Sequence, residues 1–161
     1  MALAAAATLG LWLAAWLWPD WERDLADRAA LLGLALLGPA ISLAAGVAFI
    51  ARHRFFTPAA IDGADPADDR VLRRAHAYLA NTTEQALLAA LAYPSIAFGV
   101  SAAWLPVLVL LPIAFFVGRI GFARGVGLAA ERRAFGFALT FYPTMTALLA
   151  GAAGSIARLS G

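Results

Sequence analysis

The chain of 161 residues is 63% hydrophobic and 14% charged, with a formal net charge of +2. Soluble domains are typically about 45–50% apolar and about 25% charged, so this composition excludes an ordinary soluble domain or a large soluble enzyme. It also excludes disorder, because disordered chains combine low hydrophobicity with high net charge. The composition therefore predicts an all-α integral membrane protein, in which helices of roughly 20 apolar residues each cross a hydrocarbon layer of about 30 Å.

Two apolar runs at the start of the chain predict two membrane helices. The first, Met1–Trp18, lacks the positively charged start and the cleavage site of a signal peptide, so we expect it to be retained. Proline and charged residues at positions 19–24 then interrupt the helical pattern. The second run, Ala29–Ile50, ends at the basic cluster formed by residues 52–54.

Three further helices are predicted after a polar connector rich in proline, glycine and aspartate. The third helix begins at Asp68 or Asp69, because carboxylates favour the positive end of the helix dipole, and its second half is apolar. Two more apolar runs follow, separated by a short connector that contains glycine and arginine. The predicted segments are the connector Thr57–Asp69, the helices Asp69–Val100, Trp104–Phe122 and Ala134–Ala157, and the short connector Arg124–Arg133.

The arginines predict the orientation of these helices, since all 12 basic residues are arginine. Loops that carry more arginine stay on the cytoplasmic side of a membrane. Most arginines flank the connector between helices two and three and the one between helices four and five. Both connectors and the N-terminus are therefore predicted to be cytoplasmic. Because the arginines flank apolar spans, we expect no nucleic-acid binding. With no cysteine and two distant histidines, we expect no metal site.

Polar residues within the helices are candidates for function, because charge inside a membrane span is costly and usually faces the protein interior. Arg74, Asn81 and Glu84 are spaced to share one face of the third helix. Such a face can hold a zwitterionic ligand, with the guanidinium taking a carboxylate and the carboxylate taking an ammonium. Two alternatives stay open. Glu84 could form a salt bridge with Arg119 or Arg133 that only locks the helices together. Asn81 could make only an interhelical hydrogen bond.

Two blocks of sequence resemble the MAPEG family, the membrane-associated proteins of eicosanoid and glutathione metabolism. The first block, Arg74–Gln85, contains the Asn-Thr-x-Glu-Gln pattern of bacterial members. The second comprises Gly118–Gly125, with Gly-Arg late in a helix, and Arg132–Phe137, with arginine before the next helix. The resemblance covers about residues 40–150 and has both blocks in the order found in the family.

The resemblance implies a fold and a binding site. The fold is a MAPEG-like four-helix bundle over residues 29–161, with an extra N-terminal helix over residues 1–28, assembled as a homotrimer in the bacterial cytoplasmic membrane. The resemblance also implies that glutathione is the cosubstrate and binds between protomers near the cytoplasmic face, with Arg133 stabilising its thiolate. It further implies that lipophilic small molecules enter from the membrane lipid and are joined to glutathione or reduced by it. The implied glutathione ligands are Arg52, Arg74, Asn81, Glu84 and Arg119.

The sequence departs from the glutathione-using members at several positions. Ala77 stands where those members often have arginine, and Arg74 lies one turn earlier. Tyrosines that hold glutathione in some members are replaced here by Gln85, Phe122 and Val126. These changes favour the alternative of a non-catalytic lipid-binding or scaffold protein with the same fold. A third alternative is an unrelated small transporter or complex subunit, but the polar residues cluster at one end and no inverted repeat is visible.

Overall fold

A computed structural model describes residues 1–18, 24–57, 69–128 and 130–160 of the chain. The predicted polar turn after the first helix and most of the predicted connector after the second lie outside the described residues. The described part of the chain is helical and contains no β-strand, which confirms the predicted all-α fold class. Its elements are α1 (Ala2–Trp16), α2 (Leu25–Phe56), α3 (Arg70–Gly99), a 3₁₀ turn (Ala102–Trp104), α4 (Val107–Gly125) and α5 (Ala130–Ser160).

Three helices are long and apolar enough to span a membrane, which indicates a membrane protein. They are α2, the segment Ala102–Gly125 that contains α4, and α5. Helix α1 has 15 residues and is roughly 22 Å long, which is shorter than a hydrocarbon layer. Helix α3 has 30 residues, but its first half is polar. Three of the five predicted membrane helices are therefore long and apolar enough to span a membrane, and the spanning of α1 and α3 stays a prediction.

Helix α2 extends beyond both of its predicted ends. It begins at Leu25, not at Ala29, because the carboxylate of Asp24 accepts a hydrogen bond of 2.8 Å from the backbone N–H of Asp27. It continues to Phe56, with basic residues in its last turn, where the helix dipole favours positive charge. The charges that were expected to end the helix thus stabilise its last turn.

Helix α3 begins where the sequence predicts, because Asp69 caps it. One carboxylate oxygen accepts hydrogen bonds of 2.7 and 3.2 Å from the backbone N–H groups of Val71 and Leu72. The other lies 2.7 Å from Nε2 of His53, near the end of α2. The hydrogen bond with His53, followed by those with the backbone, lowers the pKa of Asp69. This one side chain therefore joins the end of α2 to the start of α3.

The segment Arg124–Arg133, predicted as a connector, is mostly helical. Helix α4 continues to Gly125, and α5 begins at Ala130 instead of Ala134. Arg133 consequently lies in the first turn of α5, on an ordered helix, and not in a loop.

The four long helices pack so that each touches two others closely: α2 and α5 each pack against both α3 and α4. Glycine permits the closest approaches. A side chain on Gly38 of α2 would collide with the backbone of Pro112 in α4. A side chain on Gly136 of α5 would likewise collide with the backbone of Phe122 in α4. These two glycines bring α4 close to both of its neighbours.

Helix α1 packs against α5 and α4. The indole N–H of Trp12 donates a hydrogen bond of 2.9 Å to the hydroxyl of Thr146, and its ring meets that of Trp104 edge-on with centroids 5.6 Å apart. Met1, at the other end of α1, lies near Ala130 at the start of α5. Helix α1 therefore runs in the same direction as α5.

Two arginines bind carbonyl oxygens at the end of α3. Arg28 donates hydrogen bonds of 2.7 and 3.1 Å to the carbonyls of Ala97 and Val100. Arg158 donates bonds of 2.8 and 2.9 Å to the carbonyls of Phe98 and Val100. The last carbonyls of a helix lack partners within the helix and carry the negative end of its dipole, so these guanidinium groups stabilise this end of α3.

Candidate functional site

The candidate site is built on Arg119, a cation in α4 that is 1% exposed. Burying a guanidinium group is costly unless hydrogen bonds replace its hydration. Its Nη2 donates bonds of 2.7 Å to the hydroxyl of Thr140 and 3.3 Å to the carbonyl of Gly136, both in α5. Its Nη1 donates a bond of 2.8 Å to Oδ1 of Asn81 in α3. The ring of Phe122 lies 4.7 Å from the guanidinium carbon. Arg119 thus joins three helices.

Asn81 connects this buried cation to Glu84. A guanidinium group can only donate hydrogen bonds, so the Asn81 side chain turns its oxygen toward Arg119. Its amide nitrogen then donates a bond of 3.3 Å to Oε2 of Glu84. Asn81 is half-buried and Glu84 is exposed. Asn81 thus links the buried guanidinium group of Arg119 to the carboxylate of Glu84.

Asn81 and Glu84 line a cavity of about 480 Å³ formed by α3, α4 and α5, with Met1 at the start of α1 also lining it. Arg133 lines the same cavity from the first turn of α5. The volume lies within the range of roughly 300–1,000 Å³ that is usual for small-molecule sites. Phe122 and Phe137 supply aromatic walls. A carboxylate and a guanidinium group on one partly apolar cavity can bind an ammonium group and an anion of the same ligand.

The direct salt bridge that the sequence left open for Glu84 is not formed. Within the described residues, no ion pair joins Glu84 to Arg119 or Arg133, and Glu84 meets Arg119 only through Asn81. The interhelical hydrogen bond considered for Asn81 is present, with Arg119 as its partner. Neither Arg119 nor Arg133 therefore neutralises the carboxylate of Glu84 by a direct ion pair.

Three of the five predicted ligands do not line this cavity within the protomer, and one of them is the buried Arg119. Arg74 donates a hydrogen bond of 3.2 Å to the carbonyl of Gly127 and lines a second cavity, between α2, α3 and the end of α4. Arg52 lines a third cavity, at the end of α2. The helix face that Arg74, Asn81 and Glu84 were predicted to share is thus divided between two cavities.

The sequence analysis did not identify Thr140 and Gly136, which complete the environment of Arg119. They lie one helical turn apart on α5, and both accept hydrogen bonds from the guanidinium group. The pattern that could have pointed to Gly136 and Thr140 is a hydroxyl residue four positions after a glycine within an apolar run. Gly136 also lets α4 approach, because a side chain at this position would collide with the backbone of α4.

The three positions at which family tyrosines are replaced have different environments. Phe122 and Val126 line the cavity and offer no hydroxyl group. Gln85 is 2% exposed, and its side-chain oxygen has no hydrogen-bond partner within the described part of the chain. Glu84 and Arg133 are the charged side chains among the described residues that line this cavity.

Comparisons with known proteins identify no relative of this chain. No family model, no curated protein and no solved structure matches it. Across the residues that the structure describes, no group of three or more His, Cys, Asp or Glu side chains could hold a metal ion. The functional proposal therefore rests on the geometry of the cavity and on the sequence pattern.

Proposed function

We propose that this protein is a membrane glutathione transferase of the MAPEG type, which joins lipophilic electrophiles to glutathione. The supporting observation is that Glu84 and Arg133 line one cavity, at the end of the molecule where most arginines lie. Glutathione carries an ammonium group, two carboxylates and a thiol, so its binding requires anionic and cationic side chains together. The sequence resemblance assigns these same two residues to glutathione. The proposed orientation places this end on the cytoplasmic side.

In the proposed reaction, Glu84 binds the γ-glutamyl ammonium group and Arg133 lies beside the sulfur. A cation beside a thiol lowers the thiol pKa and raises the fraction of thiolate. The thiolate donates its electron pair to the electrophilic carbon, and a C–S bond forms while the leaving group departs with the electrons of the broken bond. Arg119 acts through Asn81 to orient Glu84, so both are positioning residues.

The proposed assembly is a homotrimer with glutathione between protomers. Within one protomer, Arg52 and Glu84 line different cavities, so the proposed contact of Arg52 with a glutathione carboxylate comes from a neighbouring protomer. Light scattering in detergent should give the mass of a trimer. Co-expression of Arg52→Gln and Glu84→Gln chains should restore a fraction of the binding lost in each alone. A monomer, or a complete lack of restoration, would contradict this assembly.

A non-catalytic scaffold or lipid-binding protein with the same fold is the second candidate. It is favoured by Phe122 and Val126, because they line the cavity where some family members place tyrosine hydroxyls. The two candidates differ in whether glutathione binds at all.

Calorimetric titration of the detergent-purified full chain with glutathione distinguishes them. Saturable binding is expected for the enzyme. Glu84→Gln should weaken this binding about tenfold or more, because a hydrogen bond to a charged group contributes about 1.5–3 kcal/mol. Glu131→Gln is the matched control, since it removes an exposed carboxylate in the first turn of α5 that does not line the cavity.

Arg133 is tested through the pKa of the bound thiol, measured by titrating the thiolate absorbance. Arg133→Gln should spare much of the binding but raise this pKa. Arg132→Gln removes the adjacent exposed arginine, which does not line the cavity, and should leave the pKa unchanged. An absence of binding at millimolar glutathione would refute the glutathione enzyme and leave the scaffold, or a different thiol, as the surviving candidates.

A further inference from the structure

The second cavity, of about 510 Å³, is lined by mostly apolar side chains between α2, α3 and the end of α4. Phe49 and Tyr78 contribute aromatic walls, and Arg74 and Arg124 are the charged residues among its described lining residues. No carboxylate is present among the described lining residues, so none of them neutralises either cation. The cavity shares Val126 with the cavity of Glu84 and Arg133, but it shares none of its charged residues.

The turn after α4 holds Arg74 in place. Gly127 has a φ of +76°, a conformation that glycine adopts readily, and its carbonyl accepts the hydrogen bond of 3.2 Å from Nη2 of Arg74. A guanidinium group has five N–H donors, so Arg74 keeps others for a ligand. Arg124 lies in the last turn of α4. Two guanidinium groups at the edge of an apolar cavity favour a ligand with an anionic head and an apolar tail.

The position of the cavity suits a membrane lipid. Arg74 lies near the start of α3 and Arg124 at the end of α4, so both are at helix ends, where lipid headgroups lie. Phe49 is 51% exposed and extends the apolar wall along α2, one of the candidate membrane spans. Basic pockets between membrane helices on the cytoplasmic side are typical binding sites for anionic headgroups.

We propose that this cavity binds an anionic membrane phospholipid, with its phosphate between Arg74 and Arg124 and one acyl chain along Phe49. A zwitterionic lipid is disfavoured, because its headgroup carries a cation beside the phosphate that two guanidinium groups repel. The lipid site is independent of the proposed glutathione site, since the two use different charged residues. It gives Arg74 a function other than the binding of glutathione.

Native mass spectrometry of the full chain, titrated in detergent with phosphatidylglycerol or phosphatidylcholine, measures both affinities. Phosphatidylglycerol should bind more tightly. Arg74→Gln and Arg124→Gln should each weaken its binding about tenfold or more and remove the preference over phosphatidylcholine. Arg132→Gln is the matched control, because it removes an exposed arginine at the same end of the molecule that does not line this cavity. Gel filtration verifies that each variant is folded.

A second pair of variants tests the acyl chain without changing charge. Ala45 is exposed and lines the cavity, so Ala45→Trp should fill it and abolish phosphatidylglycerol binding. Ala44 is also exposed but does not line the cavity, so Ala44→Trp should bind normally. Equal binding of the two lipids, or unchanged binding in the Arg74, Arg124 and Ala45 variants, would overturn the proposal. A preference for oleate over phosphatidylglycerol would also overturn it, by making a free fatty acid the ligand.

Discussion

Replacing Asn81 by alanine should destabilise the protein through Arg119. The substitution removes the bond of 2.8 Å to a guanidinium group that is 1% exposed, which leaves Thr140 and Gly136 as its hydrogen-bond acceptors. A hydrogen bond to a charged group contributes about 1.5–3 kcal/mol. Since each kcal/mol shifts the melting temperature of a chain of this size by roughly 2–4 °C, the midpoint in detergent should fall by roughly 3–12 °C.

A double-mutant cycle with Arg119→Met separates this effect from a loss of packing. In the Arg119→Met background the cation is absent, so Asn81→Ala should lower the free energy of unfolding by less than it does in the wild type. The difference is the coupling free energy, which should be about 0.5–3 kcal/mol. Asn81→Asp keeps an acceptor for Arg119 but loses the bond to Glu84, so its melting temperature should lie above that of Asn81→Ala. An equal fall in melting temperature with and without Arg119 would refute the reasoning, since the hydrogen bond would then not stabilise the buried cation.

Three further predictions concern the melting temperature in detergent. Arg28→Ala and Arg158→Ala should each lower it, because each removes two hydrogen bonds at the end of α3 that contribute about 1 kcal/mol apiece; unchanged midpoints in both would contradict this stabilisation. Gly136→Ala should lower the melting temperature, because its methyl group collides with α4, whereas Gly33→Ala meets no atom within 4 Å and should raise it, by stabilising the helix by about 0.5–1 kcal/mol. A higher melting temperature for Gly136→Ala than for Gly33→Ala would disprove the close approach of α4 and α5. Asp69→Ala should be less stable than Asp69→Asn, because asparagine still caps α3, and equal midpoints would argue against the cap. Because the folded-state pKa of Asp69 is lowered, its ionised contacts stabilise the fold above its ordinary pKa of 3.8 and are lost as the pH falls through the lower value. The advantage of the wild type over Asp69→Asn should therefore vanish at the acidic end of a pH series.

The helical fold class and the neighbouring positions of two residues in the candidate site can be predicted from the amino-acid sequence alone. Long apolar runs interrupted by short polar segments leave few structures other than helices, because a membrane requires every backbone polar group to be satisfied within the segment. Asn81 and Glu84 are three residues apart, so any α-helix places them side by side, and they do line one cavity. The sequence predicted Arg133 in a connector just before a helix, whereas the structure has it in the first turn of α5.

The tertiary structure decided which neighbours these side chains meet. Arg74 lies seven residues before Asn81, yet it turns to Gly127 and lines the other cavity. Asn81 lies between Glu84 and Arg119, so the two charges meet through an amide and not in a salt bridge. Spacing along one helix specifies a face, but a long side chain can reach different neighbours from the same face. Which neighbour it reaches depends on the distances and rotations between helices, and these are set by contacts such as the glycine approaches between residues distant in sequence.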